Sequence, residues 1–266
     1  MRRNVLICAV LLASLSTSAL PADRQYAGYL APGAFDVSTV LEPAPREGDP
    51  RYEADRRIFI ATRALLKTPR GALATSDVDY SPSAMMRDFS CAVGVSLTPQ
   101  NAPGVLRVIA RAGIDTGAQT NLAKKFYKRS RPYLIDQGAV CQPTSELTDS
   151  YDYPSGHTTW GWTWALLLTD LAPDRAQQIL HRGRAYGESR FVCGAHNESA
   201  VEAGMASASA TLAIVRTRPM FRTDLEAARS ELAALRSDPT AAKPAGCAAE
   251  EALIAEPVMP VLARSP

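Results

Sequence analysis

A chain of 266 residues, 46% of them hydrophobic and 21% charged, with 16 glycines and 19 prolines, has the composition of a globular protein, which excludes the disordered and fibrous classes. Its length lies near the upper limit for one hydrophobic core, and a single domain over residues 23–266 is expected. The formal net charge is +2; setting aside Arg2 and Arg3, which fall in a removable leader, leaves 27 basic residues against 27 acidic ones, so no basic excess marks a nucleic-acid or membrane-surface binder.

In chain order, residues 1–22 have the three-part layout of a secretory signal peptide: Arg2 and Arg3, an apolar run from Val5 to Leu15, and small residues around Ala19 and Ala22. That run is too short to span a bilayer, which takes about 20 residues. An exported chain with no integral membrane association is expected. Asp49 and Pro50 read as N-cap and first residue of a helix reaching Lys67, and Ser81 with Pro82 repeats the device before a helix that stops near Gly94. From about Asn101 to Arg129, Val105, Leu106, Val108, Ile109 and Ala112 repeat with the helical period, and Pro132 closes the segment. Residues 132–153 are rich in Pro, Gly, Ser, Thr and Asp without periodicity, a long loop of the kind that usually carries function.

The next helix begins at Ser155 and runs through TTWGWTWALLLTDL, apolar on all sides and therefore central. Pro173 separates it from a helix over roughly 174–188; further helices fit 198–216 and 220–236, and the tail from about 237, containing Cys247, reads as irregular. No alternating run of strand length occurs. The predicted fold class is all-α, a globular helical bundle. The mature chain keeps Cys91, Cys141, Cys193 and Cys247; an even count in an exported protein favours two disulfides, of which three connectivities are possible, and none of the four has the CxxC spacing of a zinc or redox site.

Three short polar clusters carry chemistry. KKFYKRSR, from Lys124 to Arg131, holds five basic residues in eight and no acid; on a continuous helix Lys124 and Arg131 would project from one face and touch one anion. By itself such a cluster is more often a solvated basic face. PSGH at 154–157 sits where a polar loop meets a buried helix, so Ser155 and Gly156 can turn a hydroxyl and backbone N–H groups towards an anion at the positive helix end, with His157 beside it. Alone it reads as a turn and cap. SRFVCGAHNES brings Ser189, Arg190 and His196 together, and the Arg190 guanidinium is a planar fork of donors suited to phosphate oxygens. The third histidine, His181, lies mid-helix among arginines and reads as structural. Two motif histidines 39 residues apart without companion acids do not make a metal site. Fixed cations, a serine and glycine at a helix start and two histidines are together the parts of metal-free phosphoryl transfer, in which one histidine attacks phosphorus and the other protonates the leaving oxygen.

These motifs carry a resemblance. The order K-x6-RP, PSGH, SR-x5-H-x3-D is the signature of the type 2 phosphatidic acid phosphatase and vanadium haloperoxidase superfamily, and Lys124 to Pro132, Pro154 to His157 and Ser189 to His196 match it position by position. With the leader, the surrounding text YPSGHTT and SRFVCGAH is most similar to the bacterial class A non-specific acid phosphatases. The resemblance implies an all-helical domain of that type in the periplasm. It further implies no metal or other cofactor, small phosphate-ester substrates hydrolysed through a phosphohistidine, and a tendency to self-associate. Carried over by position, His196 is the nucleophile, His157 the general acid, and Lys124, Arg131, Ser155, Gly156 and Arg190 bind the phosphate.

One position departs: the family's aspartate, four residues beyond the nucleophile, is Ala200. That acid orients the imidazole, so slow turnover with anion binding kept is expected; on a regular helix neither Glu198 nor Glu202 replaces it. Two other readings stay open, a catalytically impaired relative that only binds oxyanions and a vanadate-dependent peroxidase, which would usually bring a longer chain. Pairing the cysteines that flank motif-bearing segments predicts disulfides Cys91–Cys141 and Cys193–Cys247, each closing a loop of roughly fifty residues and contributing about 4 kcal/mol in the chain-entropy model.

Overall fold

The computed structural model describes residues 27–259; the leader and its cleavage point lie outside the described residues. Every helix start that the sequence announces with a cap or a proline is found. α1 (Pro50–Thr62) follows Asp49 and continues as a 3₁₀ turn, Arg63–Lys67. α3 (Pro82–Val93) is capped by Ser81, whose hydroxyl accepts from the Ala84 amide at 3.3 Å, and stops at Gly94 in the left-handed conformation. Between them lies α2 (Pro69–Ser76), a short helix the sequence reading left unassigned. α4 (Pro103–Tyr127), α5 (Gly156–Leu171), α6 (Ala176–Cys193), α7 (Glu198–Val215) and α8 (Pro219–Ser237) follow, with no strand among the described residues.

α5 is the central helix, packed against α4, α6, α7 and α8. Trp164, Leu167 and Leu168 on it are fully buried in a core shared with Phe89 and Met85 of α3, Ile109 of α4 and Leu212 of α7. Its approach to α6 is close because position 161 has no side chain: a Cβ on Gly161 would stand 2.2 Å from the Tyr186 ring. The N-terminus of α5 and the C-terminus of α6, which carry two of the three motifs, are thereby held in one layer.

Three expectations need correction. The helix carrying Lys124 does not extend to Arg131. It ends at Tyr127 because Lys128 adopts a left-handed conformation (φ 50°), and Arg131 stands in extended backbone beyond it (φ −75°, ψ 153°). The two cations are therefore not on one helix face; the break turns the chain back, so that Arg131 reaches the same region from a different direction. The tail is not wholly irregular either: α9 (Cys247–Ala255) forms within it. A nine-residue helix is marginal by itself, but Arg184 Nη2 of α6 donates to the Ile254 carbonyl at 3.2 Å and a disulfide ties its first residue to α3.

The disulfides are Cys91–Cys247 and Cys141–Cys193, not the pairs expected. Flanking of a motif-bearing segment suggested Cys91 with Cys141, but folding puts Cys91, at the end of α3, beside the start of α9, with 5.2 Å between α-carbons. The loop after α4 meanwhile crosses the C-terminus of α6, where Cys141 N–H donates to the Cys193 carbonyl at 3.0 Å. The loops closed span 156 and 52 residues, for which the chain-entropy model gives upper figures of about 5 and 4 kcal/mol. Peptide mapping without reduction is expected to return these two pairs; recovery of a Cys91–Cys141 peptide would contradict the packing of α9.

Candidate active site

The three motifs converge at one end of the bundle. His196 lies in the short connection between α6 and α7 and is 2% exposed. Its position is set from below. Gly194 closes α6 at φ +86°, where a Cβ would strike the Arg63 guanidinium at 2.3 Å. That guanidinium donates to the last carbonyls of α6, Phe191 (2.8 Å), Val192 (2.9 Å) and Cys193 (3.2 Å), so the chain can reverse sharply and present residue 196.

The tautomer of His196 follows from its partners. A guanidinium can only donate, and Arg131 Nη1 lies 3.1 Å from His196 Nε2, so Nε2 carries the lone pair. Nδ1 carries the proton and donates to the backbone carbonyl of Asp152 (2.8 Å) and to its carboxylate Oδ1 (3.0 Å). Arg131 also donates from Nε to the Ser150 carbonyl and from Nη1 to the Ala195 carbonyl, both at 2.8 Å.

Around Nε2 stand buried cations. Lys124, on the last turns of α4, donates from Nζ to the Tyr151 carbonyl. Arg190, on the last turn of α6, is fully buried; its Nη2 donates to Gln142 Oε1, while Nε and Nη1 have no hydrogen-bond partner among the described residues. Ser155 is the N-cap of α5, accepting from the Thr158 amide at 3.3 Å and its hydroxyl at 2.9 Å, and anchored by its own amide on the Ala200 carbonyl at 2.8 Å. This leaves the first amides of α5, at Gly156 and His157, without intrahelical acceptors. His157 is half-buried, its Nε2–H donating to the Val78 carbonyl at 3.1 Å and its ring edge-on to Tyr80, with centroids 4.9 Å apart. Ser189 is turned away beneath this layer, donating to Asp77 at 2.6 Å and accepting from Arg70 at 2.9 Å. A cleft of about 520 Å³, lined by Arg131, Tyr133, Leu134, Leu147 and Tyr151 among others, opens alongside.

Crowded cations and burial shift the site's titrations. Burial, with Arg131, Lys124 and Arg190 adding to it, holds His196 well below the ordinary histidine range; burial and Arg190 do the same to His157. Lys124 is pulled down to about 7 by burial and by Arg131 and Arg190. An anion bound here would restore its proton, so binding takes one up, and affinity falls as pH rises through the free protein's value. Sulfate, whose double charge is constant above about pH 4, isolates this effect from titration of the ligand: its affinity is expected to hold up to about pH 7 and then fall by at most ~10-fold per pH unit. Calorimetry would show it, with the slope flattened in Lys124→Gln; a pH-independent affinity between about pH 6 and 9 would contradict the assignment.

The sequence reading missed Asp152, Asn197, Arg129 and Gln142. Asp152 is fully buried and accepts from the Asn197 amide (3.1 Å) and Nδ2 (2.8 Å) as well as from His196. No local pattern marks it, since it sits in the aperiodic loop. Ala200 is the third residue of α7, buried in a cluster with Tyr153 and Ala203. Glu198 and Glu202 both pair with Arg51, away from the imidazole.

Comparison with known proteins agrees with the motifs. Residues 105–224 match the PAP2 superfamily. The chain is 38% identical over 204 residues to an acid phosphatase of Zymomonas mobilis subsp. mobilis, spanning 76% of this chain and 77% of that one. It is 35% identical over 195 residues to a non-specific acid phosphatase of Salmonella typhimurium (72% and 78% spanned), and 34% identical over 206 residues to that of Providencia stuartii (76% and 83%). Helical fold, converging motifs and identity sustained over most of both chains place the protein in the PAP2 superfamily and, within it, among the bacterial non-specific acid phosphatases.

Proposed function

We propose that this protein is a periplasmic acid phosphatase that hydrolyses small phosphate monoesters through a phosphohistidine at His196. One observation carries the reading: a histidine nitrogen whose lone pair is fixed by its hydrogen-bond partners faces a set of buried cations, one of which, Arg190, has two N–H donors without acceptors among the described residues. Buried donors of that kind cost stability unless a ligand uses them, and a phosphoryl group offers three acceptor oxygens.

In the first step Arg131 shifts its Nη1–H from His196 Nε2 to a phosphate oxygen, and the freed Nε2 lone pair attacks phosphorus, forming the N–P bond. The P–O ester bond breaks with its electron pair leaving on the alcohol oxygen, which takes a proton from His157. In the second, water attacks the phosphohistidine and gives its proton back to His157, and the N–P electron pair returns to Nε2, releasing inorganic phosphate. Lys124, Arg131, Arg190, the Ser155 hydroxyl and the Gly156 amide hold the equatorial oxygens, whose charge grows in the transition state. The depressed pKa of His196 keeps a neutral nucleophile available in acid. His157 must be protonated to act; burial and then the neighbouring cations discourage this, and a bound phosphate dianion beside it offsets the cations' part. The cleft beside Arg131 takes the leaving group, and its Tyr, Leu and backbone surfaces suit varied alcohols.

Export to the periplasm is supported by the leader-like N-terminus and by two disulfides, which persist in oxidising compartments; no described helix is long and apolar enough to cross a membrane. The test is phosphate release from an aromatic phosphate ester in acid, with and without vanadate. Release that vanadate inhibits supports the phosphatase; no release with vanadate still bound supports the impaired relative; halide oxidation by peroxide on adding vanadate supports the peroxidase.

A further inference from the structure

Resting on the phosphatase reading, we infer that Asp152 is the positioning residue for His196, an acid supplied from the loop before α5 that does the work position 200 cannot do. The expectation of slow turnover assumed that no acid other than one at position 200 reaches the imidazole. Asp152 Oδ1 lies 3.0 Å from Nδ1.

Four features make this contact a fixed one. The carboxylate is fully buried. Its side-chain partners are all donors: His196 Nδ1–H and the Asn197 amide on Oδ1, Asn197 Nδ2 on Oδ2, and Arg129 Nη1 3.6 Å from Oδ2. That set favours an ionised carboxylate: burial pushes the Asp152 carboxyl above its ordinary range, and Arg129 and the two Asn197 donors act against that. Arg129 is itself held by Asp55 at 2.7 Å and by the Ser199 hydroxyl at 2.6 Å, so a buried Asp55–Arg129–Asp152 chain backs the imidazole. The Asp152 amide donates to the Arg129 carbonyl at 2.9 Å, which ties its backbone to the same support.

A carboxylate on Nδ1–H keeps the lone pair on Nε2, directed at phosphorus, and offsets the positive charge that the imidazole acquires when the N–P bond forms. The backbone carbonyl of Asp152, also on Nδ1 at 2.8 Å, could set the tautomer alone but carries no charge. Replacement of the carboxylate therefore separates the two contributions. Ala200 is then compatible with turnover, because the acid reaches the imidazole from the loop rather than from α7.

In Asp152→Asn, kcat is expected to fall by roughly 10²- to 10⁴-fold, the upper figure being what the equivalent change does in a serine-protease triad. The inhibition constant for inorganic phosphate is expected to change by less than about threefold, because the phosphate ligands are untouched. Adding Ala200→Asp to the natural protein is expected to bring no gain. Unchanged kcat in Asp152→Asn, or kcat and phosphate inhibition lost together, would overturn the inference. A second measurement needs no variant: in protein carrying ¹⁵N-histidine, the His196 Nδ1–H proton is expected far downfield, as for an imidazole bonded to a carboxylate, and observation of the Nε2–H tautomer would also overturn it. Failure of the phosphatase reading looks different, since the natural protein would then release no phosphate while the Nδ1–H resonance still reports on Asp152.

Discussion

Replacing His196 by alanine is expected to abolish phosphate release, lowering kcat by about 10⁴- to 10⁶-fold, the range seen when a covalent nucleophile is removed from an enzyme whose binding groups remain. In the proposed mechanism His196 Nε2 supplies the lone pair that attacks phosphorus. Lys124 and the arginines face the same space as donors, and the His157 ring is held by the Val78 carbonyl. The variant should still bind phosphate or vanadate, since His196 contributes one contact among several buried cations. Quenching in alkaline denaturant during turnover distinguishes roles: the natural protein should retain acid-labile, base-stable phosphate, His196→Ala none, and His157→Asn should retain it with a good leaving group such as a nitrophenol. Family-like turnover in His196→Ala would refute the nucleophile assignment.

The second large effect is expected from Arg190→Ala, which should weaken phosphate and vanadate binding by about 2–5 kcal/mol, the cost of truncating one partner of a buried charge pair, or roughly 30- to 5,000-fold in Kd. Among the described residues Arg190 uses only Nη2, on Gln142, and Nε and Nη1 find no acceptor. Two charge-assisted bonds would thus be made only with the ligand, and Lys cannot restore them because it lacks the planar fork. The same lack of acceptors has a stability consequence of opposite sign. A buried cation with unused donors destabilises the free protein, so Arg190→Met, of similar volume, is expected to raise the melting temperature without ligand and to lose most of the stabilisation that phosphate confers on the natural protein. Thermal unfolding with and without phosphate measures both; an Arg190→Met protein that melts lower yet binds phosphate normally would contradict the assignment.

Local features were legible in the order of residues alone. Asp49 before Pro50, Ser81 before Pro82, Gly94 after Val93 and Ser155 before Gly156 specify helix ends through φ restrictions and side-chain caps that act within four residues, and the helices stand there. The mostly apolar surround of α5 placed it at the centre for the same kind of reason, since apolar residues occur on all its sides. The motif residues were recognisable because short strings bear the chemistry. Tertiary structure decided the rest. The chain's turn at Lys128 depends on a left-handed conformation that lysine has no intrinsic preference for, and it is what brings Arg131 onto His196. The disulfides join positions 156 and 52 residues apart according to how α9 and the post-α4 loop pack, a long-range energy with no signature in residue spacing. Asp152 lies in an aperiodic loop, 44 residues before His196. Only the packing of that loop against the α6–α7 turn turns a loop aspartate into the buried partner of an imidazole, because a carboxylate acquires that role from what surrounds it and not from its neighbours in the chain.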